Sequence, residues 1–232
     1  NHATVYAYDP NGNRTDATDP LGITTHASFD ALNRLAQTIR NYQGSDPATQ
    51  NATTSFAYDS HDNLTQVTDP DSLITQYAYD GLDDLGQLQS PDTGTAGYTF
   101  DAAGNRTSKT DARGVTSTYA YDALNRLTSI SYPTSALDIH YYYDQPNATT
   151  ACASSYPIGR LTQMTDSSGS TTYCDDARGN VVSEAITVSG LPGTVSYAWN
   201  PADRLMGVTY PAGGSTSYTR DADGRIASIS WS

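Results

Sequence analysis

The chain has 232 residues, 37% of them hydrophobic, with 12 Lys and Arg against 25 Asp and Glu and a net charge of −13. That acidity argues against nucleic acid, whose phosphates require many basic contacts, and against an anionic membrane surface. No apolar run approaches the roughly 18 residues of a membrane span, and 18 Tyr against 3 Phe and 2 Trp favours a thin, polar-laced β layer over a thick aliphatic core.

The sequence begins at Asn1 without an initiator Met or a leader pattern, so it reads as a mature product or a piece of something longer. It enters a repeat at once. The first copy, YAYDPNGNR at 6–14, carries Tyr8, Asp9, Gly12, Asn13 and Arg14. FDALNRL follows at 29–35, then FAYDSHDNL at 56–64 (Tyr58, Asp59) and YAYDGLDDL at 77–85 (Tyr79, Asp80). YTFDAAGNR at 98–106 supplies Asp101, Gly104, Asn105 and Arg106, and YAYDALNRL at 119–127 supplies Tyr121, Asp122, Asn125 and Arg126. YYYD at 141–144, YCDDARGNV at 173–181 and YAWNPADRL at 197–205 are weaker, and YTRDADGRI at 218–226 keeps Asp221 and Gly224. With Asn200 standing in once, the motif aspartate falls at 9, 30, 59, 80, 101, 122, 144, 175, 200 and 221. A period near 21 residues makes residues 1–232 a single array of about ten repeats, with insertions near 41–51, 145–157 and 183–194.

Each unit decomposes into strand, turn, strand, turn. In residues 114–130 the stretch VTSTYAY has the β-branched and aromatic content of a strand. Tyr119 and Tyr121, two apart, share one face, as do Tyr6 and Tyr8 or Tyr77 and Tyr79. The aspartate then opens a turn, which an Asp side chain caps and a Gly or Asn completes at positive φ. A second turn signal closes the opposite end, as in TDPLG at 18–22 and TDARG at 110–114. Ten such units predict roughly twenty short antiparallel strands. The expected fold is all-β, a tandem of hairpins whose sheet curls or spirals into a tube- or shell-like ribbon, because wide sheets twist.

The residues that could carry chemistry read more simply as structure. Asp221 and Asp223 resemble the start of a calcium loop, but the closing glutamate is missing and Glu184 is the only Glu in the chain. His2, His26, His61 and His140 lack ligand spacing, and two cysteines are too few for a zinc site without them. No nucleophile elbow, phosphate loop or dinucleotide fingerprint occurs, so neither catalysis nor a cofactor is expected. Arg14, Arg34, Arg106, Arg126 and Arg204 sit just after successive turns. They read as a ladder pairing with the motif aspartates or nearby carbonyls, with an anion- or glycan-binding stripe as the alternative. The tyrosine rows read as the buried layer of the sheet, although sugars could also stack on them. Cys152 and Cys174 form a candidate disulfide that would pin the second insertion to the sheet in an oxidising compartment, the alternative being two free thiols.

The pattern Y-D-x-x-G-N-R-T with an intervening T-D-x-x-G resembles the tyrosine–aspartate (YD) repeats of the Rhs family, also found in Tc toxin C components and teneurins, over residues 3–231. The resemblance implies a long β ribbon wound into a hollow shell, which in some members encloses a toxic domain and in others serves adhesion. It also implies an extracellular location. The DPxGL core segment that carries self-cleavage in such shells has no counterpart; Asp19-Pro20-Leu21-Gly22-Ile23 comes nearest and matches the ordinary return turn. No toxin-like domain is read within these 232 residues, so the activity of full-length relatives is not expected to carry over. The function expected is a non-catalytic structural module, a fibre or part of a shell. Its partners would be a second copy added head to tail, or the rest of a longer parent chain.

Overall fold

The structure, a computed structural model, describes residues 3–44 and 50–232. The chain divides into two compact units, one ending at Thr116 and the other beginning at Ser117. Among the described residues the first holds ten strands, from Val5–Tyr8 to Arg106–Thr110, and each pairs antiparallel with the next in sequence. The second holds ten more, from Thr116–Tyr121 to Ile226–Trp231, in the same sequential order. Among the described residues, helix is confined to Ser135–Leu137 and Asn147–Thr150. The all-β class and the tandem hairpins are as the repeat predicts.

One register irregularity recurs. Tyr6 faces Ala17 and Ala7 faces Asp16, but Tyr8 faces Arg14, so one residue is skipped. The same slip falls between Ala57 and Tyr58, Ala78 and Tyr79, Ala120 and Tyr121, and Ala198 and Trp199. It is a β-bulge, and its cause is the five-residue aspartate turn beside it, whose left-handed residue requires an extra position on one strand.

Two expectations need correction. The YCDDARGNV copy turns on Asp176 and not on Asp175: the Asp176 N–H donates to the Asn180 carbonyl at 2.9 Å, and the register slip lies between Cys174 and Asp175. Asp175 therefore takes the position that Tyr8, Tyr58 and Trp199 hold elsewhere, and Cys174 takes the place of Ala7. The tyrosine rows are also only half-buried, because each unit is a single sheet whose faces meet solvent; Tyr6 and Tyr8 are 49% and 61% exposed. Among the described residues only Ser117, Cys152, Thr162, Thr172, Asp175 and Val208 are buried. The insertion at 183–194 takes the form of a lengthened hairpin, Val181–Val188 paired with Leu191–Trp199 across Ser189 and Gly190. Part of the insertion at 41–51, namely residues 45–49, lies outside the described residues.

Candidate functional site

The aspartate turns are one geometry used at both ends of the hairpins. Asp9 donates its N–H to the Asn13 carbonyl, and its own carbonyl accepts from Gly12. Its Oδ1 accepts the Asn11 N–H at 2.9 Å and the Asn13 N–H at 2.8 Å. Asp19, in a return turn, does the same with Leu21 and Ile23 at 2.8 and 2.9 Å. Asp30, Asp59, Asp69, Asp80, Asp101, Asp111, Asp122 and Asp176 repeat the pattern, and Asn200 repeats it with an amide oxygen. The third residue after the aspartate has positive φ: Gly12 at 86°, Gly104 at 79°, Asn33 at 62° and Asn125 at 58°. Only Gly takes that region freely, and Asn and Asp tolerate it best among the others.

These bonds set the electrostatics of the turns. The Asn13 side-chain amide holds the Asp9 carboxyl below the usual carboxylate range, and Asn105 does the same to Asp101. Backbone donation from Arg34 is the main cause at Asp30, and from Arg126 at Asp122. A carboxylate fixed by backbone N–H groups is poorly placed for acid–base work. Among the described residues no group of three His, Cys, Asp or Glu could hold a metal ion.

Neighbouring turns join one repeat apart. Asn33 Oδ1 accepts from both Asn11 and Asn13 at 2.9 Å, Asp83 accepts from Asn63 at 2.7 Å, and Asp203 accepts from Asn180 at 2.8 Å. In each case the residue at positive φ receives the last turn residue of the preceding repeat. The arginines fall into two classes that the sequence reading merged. Arg34 and Arg126 close their turns and bridge outward, Arg34 to Asp62 and Arg126 to Asp144, both at 2.7 Å. Arg14 and Arg106 come one residue later, after a Gly-Asn pair, and lie over the Tyr6 and Tyr98 rings at 5.5 and 5.8 Å.

A second ladder uses the residue just before each turn. The Tyr58 hydroxyl donates to the Leu35 carbonyl at 3.0 Å and the Tyr143 hydroxyl to the Leu127 carbonyl at 2.9 Å. Trp199 Nε1 donates to Val181 and Arg220 Nη2 to Leu205 in the same way. Each acceptor lies five residues after the preceding turn's Asp or Asn, so the bond stitches repeat to repeat.

The insertion at 145–157 grows inside such a turn. Asp144 still donates its N–H to the Arg160 carbonyl, as Asp122 does to Arg126, and Gly159 keeps the positive φ of 81°. The intervening residues fold back onto the strand Gly169–Asp175. Cys152 and Cys174 are joined by a disulfide, their Cα atoms 5.6 Å apart. The Ser155 hydroxyl accepts the Asp175 N–H at 2.8 Å, and the Tyr156 N–H donates to the Asp175 carbonyl at 3.1 Å. Sequence reasoning missed Arg160 and Asp176 and gave Asp175 the turn that Asp176 makes. The signal was present, since DARGN at 176–180 has the spacing of DAAGN at 101–105.

Comparison with known proteins places this geometry. The RHS repeat family matches residues 4–44, 50–95, 100–136 and 199–230, more than half of the chain. No curated protein matches it in sequence. Among solved structures, a chain in the crystal structure of TcdB2-TccC3-Cdc42 aligns with a TM-score of 0.71 at 15% identity, covering 100% of this chain and 14% of that one. A chain of TcdB2-TccC3 aligns at 0.72 and 15% identity, again covering 100% and 14%. So does a chain of the Photorhabdus luminescens Tc holotoxin pore carrying a TccC3 mutation, at 0.72, 15% identity and the same coverage. At this identity the likeness shows the fold, and the present chain spans about a seventh of those chains' length.

Proposed function

Because this chain belongs to the RHS repeat family, we propose that it is a non-catalytic structural module, one stretch of an extracellular shell wall built by a longer polypeptide. The observation that carries this reading is the use made of the polar groups. The turn carboxylates a catalyst would draw on accept backbone N–H groups in their own turns, and the bonds beyond each turn run to the next repeat. Such an array transmits order along its length and exposes two edges. Among the described residues, the strand Val5–Tyr8 pairs only with Arg14–Thr18 and the strand Ile226–Trp231 only with Ser215–Arg220, and every residue of both outer strands is exposed. Val5 is 64% exposed, Ile229 63% and Trp231 70%. Unpaired apolar edges of this kind call for further strands, which flanking repeats of a parent chain would supply. Enclosure of a toxic cargo is the function such a wall would serve.

The same edges favour one second reading, a fibre in which copies add head to tail. Light scattering and negative-stain microscopy of the purified chain separate the two. A shell segment gives short, irregular or monomeric particles that gain order only when expressed with flanking repeats. A fibre gives filaments of uniform width from this chain alone.

A further inference from the structure

The position before the turn aspartate is built the same way in two repeats. Tyr58 faces Leu64 across its hairpin, its ring lies under the Arg34 guanidinium at 4.8 Å, and its hydroxyl meets the Leu35 carbonyl. Tyr143 faces Leu161, lies under Arg126 at 4.4 Å and meets the Leu127 carbonyl. Each ring is thus received by an arginine and an acceptor of the preceding repeat.

Asp175 stands in that position in the repeat closed by Asp176. It faces Val181 across its hairpin. Arg160 and Leu161 occupy the places of Arg34 and Leu35, because Asp144 closes on Arg160 as Asp30 closes on Arg34. Here the side chain is too short to reach them. A cavity of about 420 Å³, wide open to solvent, lies between, lined by Arg160, Leu161, Tyr173, Asp175, Gly179 and Val181. Asp175 is 4% exposed, and its Oδ2 is buried without a hydrogen-bond partner. An unsatisfied buried acceptor is costly. Burial accordingly pushes the Asp175 carboxyl above the usual range, while Arg160 opposes that. Arg160 is held at the rim by Nη1 bonds to the Tyr156 and Asp176 carbonyls, at 2.8 and 2.6 Å.

We propose that this cavity is a binding site for a phenolic ring, a ligand of the chemical class that the array itself places there in other repeats. The ring packs against Leu161 and Val181 beneath the Arg160 guanidinium, as Tyr58 and Tyr143 pack beneath theirs. Its hydroxyl donates to the Leu161 carbonyl, as the Tyr58 and Tyr143 hydroxyls donate to the Leu35 and Leu127 carbonyls. The cavity volume is within the range of small-molecule sites, which combine apolar walls with a few placed polar groups.

Fluorine NMR of 4-fluorophenol with the whole chain tests this, with fluorobenzene as the ring lacking a donor. The expected result is saturable binding with a dissociation constant of about 1 mM, at least about fivefold tighter than fluorobenzene because of the hydroxyl. Asp175→Tyr fills the cavity from within and abolishes binding. Arg160→Gln, which leaves the cavity open, weakens binding several-fold and keeps the proposal testable should Asp175→Tyr fail to fold. No saturable binding, equal binding of fluorobenzene, or binding undiminished in a folded Asp175→Tyr variant overturns it.

Discussion

The repeats at 56–106 and the stretch at 143–181 use the same hairpin and the same turn closure but are held together differently. In the first, nothing is fully buried, and cohesion comes from small bonds repeated at fixed spacing, Tyr58 to Leu35, Asn63 to Asp83 and His61 to Asp83. In the second, the inserted residues cover part of the sheet, and four of the buried residues gather there: Cys152, Thr162, Thr172 and Asp175. A disulfide ties the insertion to the position that Ala7 holds in the first repeat. The difference teaches that a single sheet stabilised by nearest neighbours tolerates a long insertion wherever the closing bonds of a turn survive. The inserted chain then brings its own means of attachment.

The largest expected effect breaks the second region alone. Cys152→Ser with Cys174→Ser opens a loop of 22 residues and should lower the stability of the second unit by about 3 kcal/mol. Urea unfolding followed by hydrogen exchange reads the two units separately. Protection in the first unit should not change, and identical unfolding with and without reductant would mean that the native protein lacks the bond.

Tyr58→Ala breaks the first region in turn. Full burial would make an aromatic truncation cost 3 kcal/mol or more, but Tyr58 is half-buried, so about 2 kcal/mol is expected. The loss should spread to the preceding hairpin, because the hydroxyl and the arginine contact both cross to that repeat. A melting temperature equal to wild type would remove the ring ladder from the account. A smaller effect belongs to the turns. Gly104 has a φ of 79° and nothing near the place of a Cβ, so Gly104→Ala should cost about 1 kcal/mol from backbone conformation alone. Chemical denaturation checks that figure.

The smallest effect separates the regions by pH. Asp101 is held below its ordinary value by Asn105, so its contribution is present above the unfolded pKa and is lost as pH falls through the folded one. Asp175 is raised by burial. Its contribution is therefore full below the unfolded pKa and is lost as pH rises through the folded value. Asp101→Asn, which keeps the Oδ1 acceptor as Asn200 does, should flatten the acid limb of the first unit's stability curve. Asp175→Asn should instead stabilise the second unit at pH 7. Melting curves between pH 3 and 7 decide, and parallel shifts in both variants would contradict the assignment.

Much of the fold was legible because the signal is local. Asp9 with Gly12, or Asp101 with Gly104 and Asn105, states the turn in its own residues, and the strands between follow from alternation. Legibility failed where the information is positional. Two adjacent aspartates at 175 and 176 left the turn ambiguous to a motif search, although counting back from Gly179 and Asn180 selects Asp176. The arginines looked like one set because Arg14 and Arg34 both follow a turn; a single extra residue leaves Arg14 over a ring of its own hairpin and sends Arg34 to a carboxylate and a ring of the next repeat. The bonds from Asn13 to Asn33 and from Asn180 to Asp203 span 20 and 23 residues. They depend on sheet register, which no short window of sequence contains.

The central claim, that this chain is a stretch of a wall built by a longer polypeptide, is tested most directly by the intact mass of the native product that carries this sequence. The account predicts a chain several times longer than 232 residues, with further tyrosine–aspartate repeats flanking both exposed edges. A native product of this length, assembling by itself into filaments, would contradict it.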